Sequence, residues 1–258
     1  METLTSTDGT AIAYQRTGTG PSLVLVVGAF CDRSSTASLT ALLAAHFTVH
    51  EYDRRGRGSS GDADGYSVDR EIDDLAALID VAGGSAHVYG HSSGAALALE
   101  AAARGVPIAA LAAYEPPYTA GEDGTGGSEA LLEGVAARIR AGDRDGAAAL
   151  FLQGSGAPSE VVTMLQQGPG WPRMRELAPP LVYDLTLCNS GVLPHERLAR
   201  IDVPTITVSG GASPEWAARA CTGVAAAVPG ARHVVLDGQD HAVAPDAVAP
   251  VLLEHFRS

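Results

Sequence analysis

The chain has 258 residues, of which 17 are basic and 30 acidic, and its formal net charge is −13. Hydrophobic residues make up 46% of the sequence, which excludes a disordered or collagen-like chain and suits one α/β domain with an insertion. All basic residues are arginine and none is lysine, so Schiff-base chemistry and the lysine of a phosphate-binding P-loop are excluded.

Charge and cysteine content favour a small-molecule partner. Apart from Arg54 to Arg57 there is no basic run, which argues against binding to nucleic acid or to a membrane surface. The three cysteines, Cys31, Cys188 and Cys221, have no metal-like spacing, so we expect a reducing compartment, no metal site and no cofactor. Without a signal-peptide pattern or a run of about 18 apolar residues, the sequence predicts a cytoplasmic protein.

Apolar runs that alternate with helical patterns predict a mostly parallel, doubly wound sheet. After a first, alternating strand, the runs are continuously apolar, which is typical of strands buried on both faces. The predicted strands are Ala11–Thr17, Leu23–Val27, Phe47–Tyr52, Ala86–Tyr89, Ile108–Ala113, Thr205–Val208 and His233–Leu236. The predicted helices between them include Ser38–His46, Val68–Val81 and Ala95–Arg104.

One interval, residues 116–195, interrupts this alternation and predicts a helical cap inserted into the sheet domain. It opens with a Gly-, Glu- and Asp-rich segment, Ala120–Ser128, which predicts a mobile stretch. Residues 1–115 and 196–258 are therefore expected to form the α/β core. The helical patterns of the cap lie at Leu131–Arg140, Gly146–Leu152, Glu160–Gln167 and Trp171–Leu187.

A G-x-S-x-G pentapeptide, Gly90 to Gly94, stands between an apolar strand and an Ala-rich helix. In that context a serine lies on a tight, strained turn that exposes its hydroxyl. Gly90 and Gly94 suit a turn that leaves no room for side chains beside the serine. We therefore expect Ser92 to be a nucleophile, the alternative being a passive serine in a Gly-rich turn.

The strand, turn and helix around Ser92 resemble the nucleophile elbow of the α/β-hydrolase superfamily. The segment from Asp53 to Ser60 resembles the D-x-R-G-x-G-x-S loop of that family, and the cap lies where the family inserts its lids. The resemblance covers essentially the whole chain and implies an α/β-hydrolase fold. We expect Asp53 and Arg54 to Arg57 to order their loop through ion pairs rather than to take part in chemistry.

A serine hydroxyl needs an imidazole to accept its proton. Of the eight histidines, His241 follows the last predicted strand in a loop that resembles the one carrying the base in the family. His91 lies inside the elbow, but we expect its ring to point away from the Ser92 hydroxyl. His241 is the predicted base, and the alternative for it is a solvated loop histidine.

The carboxylate that should orient the imidazole is missing from its usual place. Most of the family carries an Asp in a G-x-x-D turn after strand seven, where this chain has Ser213. Some branches, among them certain haloalkane dehalogenases and the zearalenone-type lactonases, place the acid after strand six, and there this chain has Glu115. The resemblance thus implies Glu115, while Asp237, Asp240, no acid at all, or a merely structural Glu115 stay open.

Two backbone N–H groups are needed to stabilise a tetrahedral intermediate. The resemblance assigns them to Ser93 and Ala29, with Phe30 as the alternate donor, because Val27 to Phe30 resembles an H-G-x-x loop. The substrate-binding side chains are expected to be Phe30, Tyr118 and Trp171. The cap supplies Tyr118, Phe151, Met164, Trp171, Met174 and Tyr183, and packing of the cap onto the core is the alternative role for each.

These residues together predict a serine hydrolase that cleaves a carboxylic ester or lactone of an apolar small molecule through an acyl-enzyme. Epoxide hydrolases and haloalkane dehalogenases resemble the chain less, because their nucleophile is a carboxylate. A receptor-like, ligand-binding member of the fold is one alternative, motivated by the missing acid after strand seven. Acyl transfer or carbon–carbon bond cleavage by the same residues is another.

Overall fold

The computed structural model describes residues 1–119 and 129–257, and the predicted mobile segment Ala120–Ser128 lies outside them. The described residues form one eight-stranded sheet. Its strands are β1 (Glu2–Thr5), β2 (Ala11–Thr17), β3 (Ser22–Val26), β4 (Thr48–Tyr52), β5 (Ala86–His91), β6 (Ile108–Tyr114), β7 (Thr205–Gly210) and β8 (Arg232–Leu236).

The strand order is β1-β2-β4-β3-β5-β6-β7-β8, and every pair from β4 onward is parallel. Strands β1 and β2 add an antiparallel edge. The predicted doubly wound, mostly parallel sheet is therefore confirmed. The carboxyl ends of β3, β5 and β6 lie side by side, which brings the loops after them together at one edge of the sheet.

Helices cover both faces of the sheet. On one face, α1 (Ala37–Leu43) and α11 (Pro245–Arg257) pack on the apolar side chains of β3, β4 and β7. On the other, α2 (Val68–Val81), α3 (Ser93–Ala103), α9 (His195–Leu198) and α10 (Glu215–Ala227) enclose the larger apolar cluster. Helix α3 is almost entirely buried, which explains its Ala-rich sequence: small side chains let it lie close to the sheet.

Between β6 and α9 most of the described residues are helical. The helices are α4 (Glu129–Arg140), α5 (Arg144–Gly154), α6 (Ser159–Gln167), α7 (Trp171–Glu176) and α8 (Leu181–Leu187). Apolar side chains from α4, α5, α7 and α8 form a third cluster, which Ala29 and Phe30 of the loop after β3 join. This insertion thus packs directly on the loop that follows β3. In the described ranges no helix is both long enough and apolar enough to cross a membrane.

Candidate active site

Ser92 connects β5 to α3 in a strained backbone conformation, with φ 57° and ψ −124°. A methyl group added to Gly90 would lie 2.5 Å from the carbonyl oxygen of Gly94, and one added to Gly94 would overlap the carbonyl oxygen of Val26. Only glycine fits at both places. The sharp turn that these glycines permit leaves Ser92 half-buried at the carboxyl end of β5.

Three of the predicted residues form a continuous chain of hydrogen bonds. The Nε2 atom of His241 lies 3.1 Å from Oγ of Ser92, and its Nδ1 atom lies 2.6 Å from Oε2 of Glu115. Because a carboxylate only accepts, Nδ1 carries the proton and Nε2 of a neutral ring is left to accept from the serine. The order of the groups, a hydroxyl, an imidazole and a carboxylate, is the order that serine catalysis requires.

Glu115 follows β6 directly and is fully buried. Besides His241, it accepts hydrogen bonds from the Gly210 N–H (2.8 Å) and from Oγ of Ser213 (2.5 Å), both to Oε1. Burial by itself raises the pKa of a carboxyl group, but the hydrogen bonds from His241, Ser213 and Gly210 outweigh it and lower the pKa of Glu115. Glu115 is therefore held as a carboxylate, with both oxygens engaged.

Neighbouring side chains fix the backbone of the loop that carries His241. Nε2 of His91 donates to the carbonyl oxygen of His241 (2.8 Å), and the Tyr114 hydroxyl donates to that of Asp240 (2.6 Å). Burial, together with the nearby His241, lowers the pKa of His91 to about 4. His91 thus stays neutral near pH 7 and, as expected, its ring supports the loop of the base instead of Ser92.

The loop after β3 lies against the elbow. A methyl group added to Gly28 would lie 2.9 Å from Cβ and 3.4 Å from Oγ of Ser92. Ser93 is the first residue of α3, where a backbone N–H has no partner inside the helix. Within the described ranges, no hydrogen bond engages the N–H of Ala29 either. In the part of the chain that the structure describes, the two predicted donors, Ala29 and Ser93, thus directly follow Gly28 and Ser92, and no hydrogen bond engages either N–H group.

The Arg-rich loop after β4 is held by buried ion pairs, as its sequence predicts. Arg54 pairs with Glu71 (2.6 Å), Arg55 with Asp74 (2.7 Å) and Arg57 with Asp184 (2.8 Å). Asp53 pairs with Arg33 and accepts from the Ser59 N–H. Burial raises the pKa of Asp184, but the charges of Arg57 and Arg54 outweigh it and lower that pKa.

The three predicted substrate-binding side chains occupy different surroundings. Phe30 packs edge to face on Phe151 of the cap, with ring centroids 5.4 Å apart. Trp171 belongs to the same apolar cluster, and its Nε1 donates to Asp145 (2.7 Å). Tyr118 is only 3% exposed and belongs to the large core cluster, which also contains Leu187.

Two other side chains predicted for the pocket, Met164 and Tyr183, lie in different surroundings. Met164 is exposed, while the Tyr183 ring stacks on Tyr66 at 4.2 Å and its hydroxyl donates to Asp62. Among the described residues, no group of three or more His, Cys, Asp or Glu side chains is arranged to hold a metal ion.

Comparison with known proteins identifies the family. Residues 23–251 match the model of the alpha/beta hydrolase family. The chain belongs to this family. The structure of an alpha/beta hydrolase from Sphaerobacter thermophilus is 47% identical in sequence and superimposes with a TM-score of 0.93. The match covers 99% of this chain and 100% of that chain. An enol-lactonase from Burkholderia xenovorans shares the hydrolase fold at 21% identity, with a TM-score of 0.76 over 100% of both chains.

Curated relatives of this hydrolase match over shorter stretches. N-formylmaleamate deformylase from Pseudomonas putida is 35% identical over 106 residues, which are 40% of this chain and 40% of the relative. The matched part spans 35% to 40% of the length of the curated relatives.

Sequence reasoning missed several residues of the site. The sequence marks Ser213 only as the position where the usual acid is missing, yet Ser213 donates a hydrogen bond to the Glu115 carboxylate. Asp184 of α8 was not singled out, although an aspartate in the apolar stretch Leu181–Leu187 is a signal that a buried partner is present. That partner is the pair Arg54 and Arg57, which lies more than 120 positions away in the sequence.

Proposed function

We propose that the protein is a serine hydrolase that cleaves a carboxylic ester or lactone of an apolar small molecule through an acyl-enzyme. The observation that carries the proposal is the unbroken chain Ser92 Oγ, His241 Nε2, His241 Nδ1 and Glu115 Oε2, with separations of 3.1 and 2.6 Å. In this proposal residues 116–195 act as the cap over a core made of residues 1–115 and 196–258.

In the first half-reaction Oγ of Ser92 attacks the carbonyl carbon while Nε2 of His241 accepts the hydroxyl proton. The carbonyl electron pair moves to its oxygen, and the N–H groups of Ala29 and Ser93 stabilise the resulting oxyanion. The intermediate collapses, the bond to the leaving oxygen breaks, and the imidazolium gives its proton to that oxygen. Glu115 stabilises the imidazolium because it is held as a buried carboxylate.

In the second half-reaction a water molecule takes the place of the leaving group. Nε2 of His241 accepts a proton from the water as its oxygen attacks the acyl carbon, and the same two N–H groups stabilise the second oxyanion. Collapse breaks the bond to Oγ of Ser92, which recovers its proton from the imidazolium. The products are a carboxylic acid and an alcohol, or one hydroxy acid from a lactone.

The apolar character of the substrate follows from the cluster above the loop after β3. Phe30 joins the cap side chains Phe151 and Trp171 there, so an acyl or alkyl group beside Ser92 would meet apolar surface. We assign Phe30 and Trp171 to this surface. We leave Tyr118 out, because its burial in the core cluster leaves 3% of it exposed. The fold of the enol-lactonase relative and the name of the deformylase agree with acyl chemistry of this general kind.

The binding-only alternative rests on the absence of an acid after β7. The Glu115 carboxylate after β6, which lies 2.6 Å from the imidazole of His241, supports the catalytic proposal over that alternative.

The test is hydrolysis of p-nitrophenyl esters of increasing acyl length by the parent protein and by Ser92→Ala. We expect Ser92→Ala to abolish turnover and to change the free energy of unfolding by less than about 1 kcal/mol. In the parent, kcat/KM should rise with acyl length, by up to about 0.8 kcal/mol in transition-state stabilisation per buried methylene. Turnover retained by Ser92→Ala would contradict the proposal, and a flat length profile would contradict the apolar site.

A further inference from the structure

A buried ion cluster lies beneath the two proposed oxyanion donors. Asp184 of α8 and Arg57 of the loop after β4 are each 1% exposed, and Nη2 of Arg57 donates to Oδ1 of Asp184 at 2.8 Å. The same Oδ1 accepts from Nη1 of Arg54 (3.0 Å) and from Oγ of Ser93 (2.6 Å). One carboxylate oxygen of the cap thus connects both arginines to the residue that follows the nucleophile.

The other end of Arg57 holds the loop after β3. Its Nη1 donates to the carbonyl oxygen of Gly28 at 2.7 Å, and Nη1 of Arg54 donates to the preceding carbonyl, that of Val27, at 3.1 Å. A peptide unit is planar, and in the trans form its C=O and N–H point in opposite directions. The carbonyl that Arg57 holds belongs to the same peptide as the N–H of Ala29. Holding the carbonyl therefore turns that N–H away from the arginine.

The position of Gly28 shows where this matters. Its backbone is so close to the elbow that an added methyl group would lie 2.9 Å from Cβ of Ser92. If the peptide between Gly28 and Ala29 rotated, its carbonyl oxygen would replace the N–H on the serine side. An oxyanion site that presents a carbonyl oxygen in place of an N–H donor would repel the negatively charged oxygen.

We propose that Arg57 is a positioning residue that fixes the peptide between Gly28 and Ala29 with its N–H toward the oxyanion, and that Asp184 of the cap holds Arg57 in that place. This inference rests on the proposed function. Asp184 also accepts a hydrogen bond from the Ser93 hydroxyl, so a single cap carboxylate contacts the segments that carry both oxyanion donors, Ala29 and Ser93. The packing of helix α8, which carries Asp184, on the core is then required for transition-state stabilisation as well as for substrate binding.

The position of Arg57 in its motif separates it from the neighbouring arginine. In the D-x-R-G-x-G-x-S pattern Arg55 occupies the arginine position and Arg57 a variable one. Arg55 is also 1% exposed and pairs with Asp74 and Asp8, but among the described residues it makes no hydrogen bond to the loop after β3. It is therefore a matched control: a buried, doubly paired arginine of the same loop.

The experiment compares Arg57→Lys, Asp184→Asn and Arg55→Lys with the parent in two measurements. The first is kcat and KM for a p-nitrophenyl ester. The second is the affinity for an alkyl trifluoromethyl ketone, whose tetrahedral adduct with Ser92 places an oxyanion in the hole. Lysine keeps the charge but has one ammonium group, which cannot span Gly28 and Asp184 as the guanidinium fork does.

We expect Arg57→Lys to lower kcat at least about tenfold, because loss of an oxyanion donor costs about 10²- to 10³-fold, while KM changes less than about threefold. Ketone affinity should fall by the same factor as kcat. Asp184→Asn should shift both in the same direction, and it decides the question if Arg57→Lys does not fold. Arg55→Lys, measured at a temperature at which it is as fully folded as the parent, should keep kcat and ketone affinity within about threefold of the parent values.

Folded Arg57→Lys or Asp184→Asn with parent-like kcat and ketone affinity would overturn the inference, as would equal losses in Arg55→Lys. A parent without esterase activity would instead contradict the proposed function. An active parent, an inactive Ser92→Ala and an unaffected Arg57→Lys would leave the proposed function intact and remove only the role of Arg57.

Discussion

Ser213 donates a hydrogen bond of 2.5 Å from its Oγ to Oε1 of Glu115, although the two residues follow different strands and are 98 positions apart. Strands β6 and β7 are parallel neighbours, so the segments that follow them meet at one edge of the sheet. A carboxylate at position 213 would therefore lie beside the one at position 115. In this chain the strand-six side supplies the carboxylate and the strand-seven side supplies a hydroxyl that holds it.

Glu115→Gln should lower kcat severely. The amide keeps the shape but removes the charge that stabilises the imidazolium, and its NH₂ group can favour the wrong tautomer of His241. The equivalent change in a serine protease costs about 10⁴-fold, and we expect a loss approaching that size for p-nitrophenyl ester hydrolysis. The control is Asp240→Asn, since Oδ1 of Asp240 only accepts from the Ala242 N–H at the surface. If Asp240→Asn loses several orders of magnitude and Glu115→Gln does not, Glu115 is not the acid.

Ser213→Asp should have opposite effects in two backgrounds. In the parent, a second carboxylate beside Glu115 places two like charges together and should lower kcat. In Glu115→Gln it provides the missing charge from the neighbouring strand and should raise kcat at least about tenfold over the single variant, which corresponds to about 1.4 kcal/mol of activation free energy. The coupling energy of the double-mutant cycle should exceed this value by the cost of Ser213→Asp in the parent. Additive effects of the two substitutions would show that the two positions do not share the base.

Gly94→Ala should destabilise the fold through a backbone clash. The added methyl group would overlap the carbonyl oxygen of Val26, which cannot move without shifting β3. We expect urea unfolding to show a loss of about 1–3 kcal/mol. Gly170→Ala is the control, because a methyl group there meets no atom within 4 Å and should change stability by less than about 0.5 kcal/mol. Equal stability of the two variants would refute the packing argument.

The stability of the protein should fall as the pH decreases from about 6.5 to about 4. His91 has an ordinary pKa of 6.5 and a pKa of about 4 in the fold, so between these values the unfolded chain binds a proton that the folded chain does not. Burial likewise lowers the pKa of His50, His87, His233 and His255.

His91→Gln keeps a donor for the carbonyl of His241 and should reduce the slope of unfolding free energy against pH in that interval. An unchanged slope in His91→Gln, measured by denaturant unfolding at several pH values, would show that His91 is not held neutral in the fold.

Local patterns account for most of the fold. The prediction of Val68–Val81 as a helix matches α2 at both ends, because its apolar spacing is regular and Ser67 caps it by accepting from the Arg70 N–H. Strand β1 escaped prediction because it is a four-residue edge strand in which only Leu4 is buried, so it has no apolar run to detect. Helices α4, α5 and α6 match the predicted helical patterns with ends shifted by up to two residues. The predicted stretch Trp171–Leu187 is two helices, α7 and α8, separated at Pro179 and Pro180.

The residues of the site could be predicted from the sequence only where their positions after successive strands place them at one edge of the sheet. Ser92, Glu115 and His241 each follow a strand, and the ends of parallel strands converge, so their meeting could be anticipated. The contacts of Asp184 with Arg54 and Arg57 could not, because side-chain packing of the cap on the core decides them. The same holds for the packing of Tyr118 in the large core cluster.

Covalent labelling with a fluorophosphonate, read out by intact mass and peptide mapping, tests directly whether Ser92 is an activated nucleophile. An activated serine displaces fluoride and forms a stable phosphonyl ester, whereas an ordinary serine does not react. We predict a single adduct on the parent, located on Ser92, that is absent from Ser92→Ala and formed much more slowly by Glu115→Gln. A folded parent that takes up no label, or takes it up on a residue other than Ser92, would contradict the account.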